Sequence, residues 1–175
     1  TLLIVVLIVA IGMIGLYLAM GLMNGKQEET GDDAKVVAML TEMENVTYIQ
    51  YKNAEGTVTL AKTDDAWKCE ENAELELVDG YIDEKAAELG KIEGELVEDA
   101  KKADCGLEAP VYALTVKNAE KEVKLVFGVN EEGYCYAMLE GKSEIYEISE
   151  DVIAILNMSA DNFAEPDGDV YSYLN

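Results

Sequence analysis

The side chains that most often carry catalysis are scarce in this chain. It has no histidine and three cysteines, beside 36 acidic residues in a total of 175. Histidine is the usual general base near neutral pH and the commonest metal ligand. Catalytic arrangements of the Ser-His-Asp and Cys-His kinds are therefore excluded. Cys105 stands between Asp104 and Glu108, whose negative charges raise a thiol pKa and oppose its use as a nucleophile.

The acidic residues are numerous, but no motif singles out a pair of them. Glu165, Asp167 and Asp169 resemble a calcium loop, yet Gly168 lies between two of the acids and no later glutamate completes the pattern. Three cysteines without histidine also lack the usual ligands of structural zinc. The sequence thus predicts no catalytic residue, no metal site, no cofactor and no enzymatic activity.

The cysteines Cys69, Cys105 and Cys135 are odd in number, so they cannot form a closed set of disulfides. Two interpretations stay open. Cys69 and Cys135 pair and leave Cys105 free, or all three are small, partly buried apolar residues. We favour the second interpretation.

Three aromatic residues are the predicted binding residues. Trp67 is the single tryptophan, and Tyr134 and Tyr136 are two apart in a predicted strand, which places both rings on one face. A ring of this kind acts as a platform for a ligand such as a sugar, or it packs in a core or a cross-strand row. Packing is the commoner role for each of them.

Charge divides the chain into two parts. Residues 1–23 contain no charged residue, and a helix of about 20 apolar residues crosses a bilayer. We predict an uncleaved transmembrane anchor over 1–23 and a polar linker over 24–33. The alternative is a cleaved signal peptide ending near Ala19-Met20-Gly21, but the apolar run exceeds the usual length of such peptides. Because the chain opens on Thr1, we expect a short basic leader before it. The domain after the anchor then lies outside the cytoplasm.

The remainder of the chain is strongly acidic. The net charge is −23, and the 13 basic residues are all lysine. Binding to nucleic acid requires cationic side chains against phosphates, most often arginine for reading bases. The composition therefore excludes nucleic acid as a partner.

After the linker, residues 34–43 carry apolar residues at helical spacing, which favours a helix, with a strand over 35–40 as the alternative. The next segments alternate with period two and predict a hairpin over 46–62 and a strand over 66–69. Helical spacing returns over 81–96, where Gly90 and Gly94 weaken the helix and favour a break near Gly94.

A connector over 97–104 leads to Cys105–Pro110, a predicted structural corner that rests on Gly106, Leu107 and Pro110. Alternation then predicts four strands, at 111–117, 123–127, 134–139 and 144–148. Ser149 is placed to cap a short helix with Glu150 and Asp151 in its first turn. A last apolar stretch, Val170–Leu174, reads as one further strand.

The tetrapeptides Lys52–Glu55 and Lys117–Glu120 are identical, and each occupies a predicted hairpin turn. Strands and then a helix follow both, which predicts a pseudo-repeat with halves 45–96 and 105–158. Strands that precede their helices favour an antiparallel α+β fold. We predict one such domain over 34–163, and a tail or the start of a further strand unit over 164–175.

The order of short motifs resembles the domain-of-unknown-function family 4340 over about two thirds of the chain. The matching pieces are the hairpin opening Val46–Ile49, the turn Lys62–Trp67, the corner Cys105–Pro110, the segments Phe127–Gly128 and Gly133–Ala137, and the strand Ile145–Ile148. The sequence departs from the family pattern at Cys105, where tyrosine or phenylalanine is usual, and this affects only local packing.

The resemblance implies a single-pass protein of the bacterial cytoplasmic membrane with an extracytoplasmic α+β domain. It also implies an accessory role near ABC-type transporters and provides no catalytic residues. We therefore predict a non-enzymatic accessory protein with transporter subunits as partners. A module that binds envelope glycan or peptide is the alternative, and it requires a cleft lined by Trp67 or by Tyr134 and Tyr136.

Overall fold

The computed structural model describes residues 35–164. The predicted anchor, the linker, the acidic loop 165–169 and the strand 170–174 lie outside the described residues. In residues 35–164, no helix is both long enough and apolar enough to cross a membrane.

The described residues build one nine-stranded sheet in which every neighbouring pair is antiparallel. The strands are β1 (Val37–Met39), β2 (Tyr48–Lys52), β3 (Thr57–Thr63), β4 (Ala66–Cys69), β5 (Glu93–Leu96), β6 (Tyr112–Lys117), β7 (Glu122–Val129), β8 (Cys135–Leu139) and β9 (Tyr146–Ile148). The order across the sheet is β1-β5-β9-β8-β7-β6-β2-β3-β4.

Two α-helices and one short 3-10 helix accompany the sheet: α1 (Asp79–Leu89), α2 (Glu150–Leu156) and a 3-10 turn at Ala160–Phe163. Ser149 caps α2, since its hydroxyl accepts a hydrogen bond from the N–H of Asp151, as the sequence predicts. The fold is thus antiparallel α+β. The strands after the corner and the hairpin over β2 and β3 are confirmed within a few residues.

The main core lies between one face of the sheet and the helices. Alternate residues of the strands point into it, because successive side chains of a strand project to opposite faces. Its largest fully buried side chains are Ile49, Tyr51, Leu60, Ile82, Leu89, Leu114, Val116, Leu125, Phe127, Leu156 and Phe163.

A second, smaller core covers the opposite face at β8. Cys135 and Ala137 belong to the main core, whereas Tyr136 and Met138 pack with Cys105, Leu107 and Ile145. The corner segment therefore crosses the outer face of the sheet and seals it. Gly106 and Gly128 permit this crossing.

Gly106 has φ +68, and a Cβ there would lie 2.5 Å from the carbonyl oxygen of Val129. A Cβ on Gly128 would lie 2.2 Å from the carbonyl oxygen of Cys105. The corner and β7 approach each other so closely that neither position has room for a side chain.

The two predicted hairpins meet along β2 and β6. Tyr48 pairs with Lys117, and Lys52 pairs with Ala113, so the centre of the pairing lies between Gln50 and Thr115. Strands and then a helix follow each hairpin: β4 and α1 in one half, β8, β9 and α2 in the other. The two hairpins are therefore related by an approximate two-fold axis at the middle of the sheet.

The identical tetrapeptides form identical turns. The Oδ1 of Asn53 accepts hydrogen bonds from the N–H groups of Glu55 (2.9 Å) and Gly56 (3.1 Å). The Oδ1 of Asn118 accepts from those of Glu120 and Lys121, both at 2.9 Å. Side-chain acceptance of this kind stabilises a turn in place of further strand bonds.

The helix predicted over 81–96 ends earlier than expected. It stops at Leu89, and Glu93–Leu96 form β5 instead. The reason is tertiary pairing, because β5 lies between β1 and β9, with Gly94 opposite both Ala38 and Ile148. The glycines allow close approach: a Cβ on Gly90 would lie 2.5 Å from the carbonyl oxygen of Met43, and one on Gly94 would lie 2.7 Å from the Cβ of Tyr146. Gly90 thus ends α1 against the loop after β1, and Gly94 lets β5 pack closely beside β9.

The helix predicted over 34–43 is also wrong, and the strand alternative holds. Val37–Met39 form β1, which pairs with β5. Local spacing alone favoured the helix, but the pairing with β5 arises from a segment more than 50 residues away.

The two turn asparagines lead to a prediction on stability. The Nδ2 of Asn53 donates to the carbonyl oxygen of Leu156 at 2.9 Å in the buried interior. Asn118 donates to the carbonyl oxygen of Glu44 at 2.8 Å near solvent. Asn53→Asp keeps the turn acceptor and loses the donor, so we expect a loss of about 1–3 kcal/mol in the free energy of unfolding.

Asn118→Asp is the matched variant, and water replaces its lost bond, so we expect a loss below about 1 kcal/mol. Urea unfolding of both variants measures the difference. Equal losses would show that the bond to Leu156 contributes nothing specific.

Candidate functional site

Trp67 fastens α1 to β4. Its indole N–H donates to Oδ1 of Asp83 at 2.8 Å, and its backbone N–H donates to Oδ1 of Asp79 at 2.7 Å. The two acids stand one helical turn apart on α1. The Nζ of Lys62 lies 2.8 Å from the same Asp83 carboxylate and 5.7 Å from the centroid of the Trp67 ring. With only 4% of Trp67 exposed, its ring is committed to this helix–strand contact.

The two predicted binding tyrosines do not share a surface. Tyr134 precedes β8 and is 51% exposed, whereas Tyr136 is 9% exposed and packs in the second core. Trp67 belongs to the main core, on the other face of the sheet. The structure therefore does not bring Trp67, Tyr134 and Tyr136 into one cleft. The corner residue Leu107 is buried, and the backbone of Gly106 packs closely against the backbone of Val129.

The three cysteines are free and buried. Burial raises the pKa of each thiol, and the charge of Asp104 adds to the rise at Cys105. Cys69 on β4 and Cys135 on β8 have four strands between them in the sheet order, so they form no disulfide. The apolar interpretation of the cysteines is the correct one.

An open groove of about 520 Å³ lies beside the face of α1 that carries Asp83. Loop residues 43–47, Lys62, Asp65 and one side of α1 line it. Its central charges, Lys62 and Asp83, pair with each other and hold Trp67, so they already have a structural role. In residues 35–164 no group of three or more Cys, Asp or Glu side chains is arranged to hold a metal ion.

The most distinctive exposed feature is the sheet edge formed by β1. Six large apolar side chains are exposed in the described part of the chain, and three of them lie together here. Val36 is 57% exposed, Val37 62% and Met39 44%. Val37 and Met39 share the outer face of β1, and Val36 lies on the other face. Single exposed apolar residues are ordinary, but exposure on both faces of one edge strand suits a site of interaction.

The backbone of β1 is also available on its outer side. The N–H of Leu96 donates to the oxygen of Val36 at 2.8 Å, and the N–H of Leu40 donates to the oxygen of Ile92 at 2.8 Å. These bonds place residues 36, 38 and 40 toward β5, since hydrogen bonding alternates along an antiparallel strand. The peptide groups of Val37 and Met39 therefore point away from the sheet.

Three glutamates on β5 and β9 lie on the same outer face of the sheet as Val37 and Met39. Glu95 is directly opposite Val37, and Glu93 is directly opposite Met39. Glu147 on β9 is opposite Glu95. We call Val36, Val37, Met39 and these three glutamates the β1 edge.

The charges of the β1 edge are only partly balanced. The Nζ of Lys35 lies 2.9 Å from Oε1 of Glu95. Among the described residues, neither Glu93 nor Glu147 forms an ion pair. Like charges directly opposite each other, as at Glu95 and Glu147, destabilise a sheet.

The opposite edge of the sheet, at β4, is partly covered by acidic side chains. Asp79 accepts the outward N–H of Trp67. Beyond the end of β4, the carboxylate of Glu71 accepts the N–H of Thr59 on β3 at 2.8 Å and its hydroxyl at 2.6 Å. Burial opposes ionisation of Glu71, but these bonds outweigh it and hold its pKa below the usual value. Among the described residues, no side chain accepts a hydrogen bond from the outward N–H groups of Val37 and Met39, in contrast to that of Trp67.

Sequence reasoning did not identify the β1 edge. The signal was present in the adjacent apolar pair Val36-Val37, because in a strand the two point to opposite faces, which suits an edge. The edge strand was not predicted because the spacing of apolar residues over 34–43 favoured a helix.

No protein-family model, no curated protein and no solved structure matches this chain.

The contact between Lys62, Asp83 and Trp67 predicts a dependence of stability on pH. Hydrogen bonds from Lys62 and Trp67 lower the pKa of Asp83. The stability that Asp83 provides is therefore present above the pKa of an unfolded Asp, about 3.9, and is lost as the pH falls through its lower folded value.

We expect the free energy of unfolding to fall more steeply between about pH 5 and pH 2.5 in the unmodified chain than in Asp83→Asn. Urea titrations at several pH values measure this difference. Asp64→Asn, in the exposed β3–β4 turn, controls for the loss of a surface carboxylate. Identical pH profiles for the unmodified chain and Asp83→Asn would refute the assignment.

The cysteines give a second prediction. Because the thiols are buried with raised pKa values, we expect slow labelling by a maleimide in the folded protein at pH 7. In denaturant without reductant, all three should label at once, as intact mass measures. Fewer than three labels on the unfolded, unreduced chain would indicate a disulfide.

Proposed function

We propose that this protein is a non-enzymatic accessory protein, anchored in the bacterial cytoplasmic membrane through residues 1–23. Its α+β domain, built from two strands-then-helix halves, lies outside the cytoplasm and docks a protein partner. The partner is a subunit of an ABC-type transporter or of an envelope complex. The β1 edge is the docking site.

The observation that carries the docking role is the exposed β1 edge. Val36, Val37 and Met39 present apolar surface beside open peptide groups at one end of the sheet. An edge of this kind pairs with other chains unless it is blocked, and natural proteins usually block it. At the β4 edge Asp79 already accepts the outward N–H of Trp67, so the open β1 edge favours a specific use.

Docking agrees with the distribution of ionisable groups better than catalysis does. An acid/base site needs carboxyls whose pKa values are pushed apart in one pocket. In the described residues, the carboxylates with lowered pKa values are each explained by nearby structural bonds. They are Glu71, Asp83, Glu122 and Glu144, and they lie on separate elements.

The membrane and transporter parts of the proposal come from the sequence. They rest on the uncharged stretch 1–23 and on the resemblance to the domain-of-unknown-function family 4340. The first strand, β1, begins at Val37, four residues after the end of the predicted linker at Asp33. The docking site is thus the element that the chain connects most directly to its predicted anchor.

Photocrosslinking in membranes tests this function. A photoreactive phenylalanine analogue replaces Val37 in the full chain, and the matched control carries it in place of the exposed Glu120 in the β6–β7 turn. We expect position 37, and not position 120, to capture transporter or envelope subunits, which mass spectrometry identifies after affinity purification.

Capture of the same proteins from both positions would remove the β1 edge as the docking site. No captured protein from position 37, with efficient crosslinking shown on a known pair, would contradict the accessory role. The glycan- or peptide-binding alternative would then gain support, with the exposed Tyr134 as its first residue to test.

A further inference from the structure

We infer that the β1 edge binds an extended segment in which basic and apolar residues alternate, and that this segment adds to the sheet as a new strand beside β1. The inference rests on the proposed docking function and specifies the chemistry of its partner.

The backbone supplies the first reason. The peptide groups of Val37 and Met39 point outward, while their neighbours bond to β5. An added strand would satisfy these groups, which is how extended peptides bind the edges of other sheets. Its side chains would then alternate between the two faces of the sheet.

The outer face selects basic residues. An added strand lies about 4.8 Å from β1, and β5 lies the same distance on the other side. A lysine or arginine beside Val37 can therefore extend its apolar stem over that side chain toward Glu95 on β5. Beside Met39, Glu93 has no ion pair among the described residues, so a partner cation at that position would balance its charge.

The inner face selects apolar residues. On that side of β1 lie Val36, which is exposed, and Ala38, which packs against the main core. Residues of the added strand that point inward would cover this apolar surface. Basic residues outward and apolar residues inward give the alternation that we infer.

A second copy of this chain fits the edge less well. It would bring the same three glutamates and a further net charge of −23. Repulsion between such charges opposes association. A basic segment turns the same charge into attraction, and the attraction should weaken as salt is added.

Fluorescence anisotropy measures this binding with defined peptides. The full chain is held in phosphatidylcholine nanodiscs, whose zwitterionic lipid does not attract cations. The probe is a labelled eight-residue peptide in which valine and lysine alternate. Two matched peptides serve as controls: one has the same composition in two blocks, and one alternates valine with glutamate.

We expect the alternating valine–lysine peptide to bind at least tenfold more tightly than either control, with an affinity that falls as salt rises. Val37→Pro removes an outward N–H and no bond to β5, so it should abolish this preference. Glu93→Gln with Glu95→Gln should weaken binding about three- to tenfold, from two exposed charge pairs.

Glu120→Gln with Glu131→Gln removes the same charge from exposed turns and should leave the affinity unchanged. Equal binding of the block peptide, or equal weakening by the two double variants, would reduce the attraction to net charge alone and overturn the inference. Dimers of the chain in sedimentation, lost in Val37→Pro, would identify a second copy as the occupant instead.

The crosslinking result separates this inference from the docking function. If position 37 captures a partner, the crosslinked peptide reveals its sequence. A captured segment without alternating basic residues would overturn the inference and leave the docking function standing. Binding of the valine–lysine peptide with no partner captured in membranes would support the inferred peptide preference and contradict the docking function.

Discussion

The pairing of β2 with β6 is the contact on which the rest of the structure depends. It joins two hairpins that stand far apart in sequence and makes one continuous sheet from them. A single hairpin is marginally stable in water, whereas a sheet with one apolar face can bury a core. Ile49 and Tyr51 on β2, with Leu114 and Val116 on β6, lie at the centre of that core. Both helices pack against the surface that this pairing creates.

The two halves of the sheet are extended in different ways. Beyond β3, the sheet ends at β4, where the carboxylates of Asp79 and Glu71 accept hydrogen bonds from strand N–H groups. Beyond β7, it continues through β8, β9, β5 and β1. The last of these strands belongs to the start of the domain and has an open outer side. The approximate symmetry at the centre of the sheet is thus absent at its edges. The proposed docking site, the β1 edge, has no counterpart at the β4 edge.

The elements with local signals were the easiest to predict. The hairpin turns at Asn53 and Asn118 form as expected because their side chains bond within the same turn. The helix after Ser149 begins with a cap that needs only neighbouring residues. The strand Glu93–Leu96 was missed because its partners, Val37–Met39 and Tyr146–Ile148, are remote in sequence. The candidate site was missed for the same reason, since an edge exists only once the order of strands is known.

The sequence by itself determined the acidic composition, the absence of histidine chemistry and the alternation that makes strands, because these depend on residue types and near neighbours. It also carried the paired turns that mark the two hairpins. Only the tertiary structure decided which aromatic rings are exposed, that the cysteines stay apart, and that Val37 and Met39 lie on an open edge beside Glu95 and Glu147. Burial and neighbourhood are set by contacts between distant segments, which no local pattern encodes.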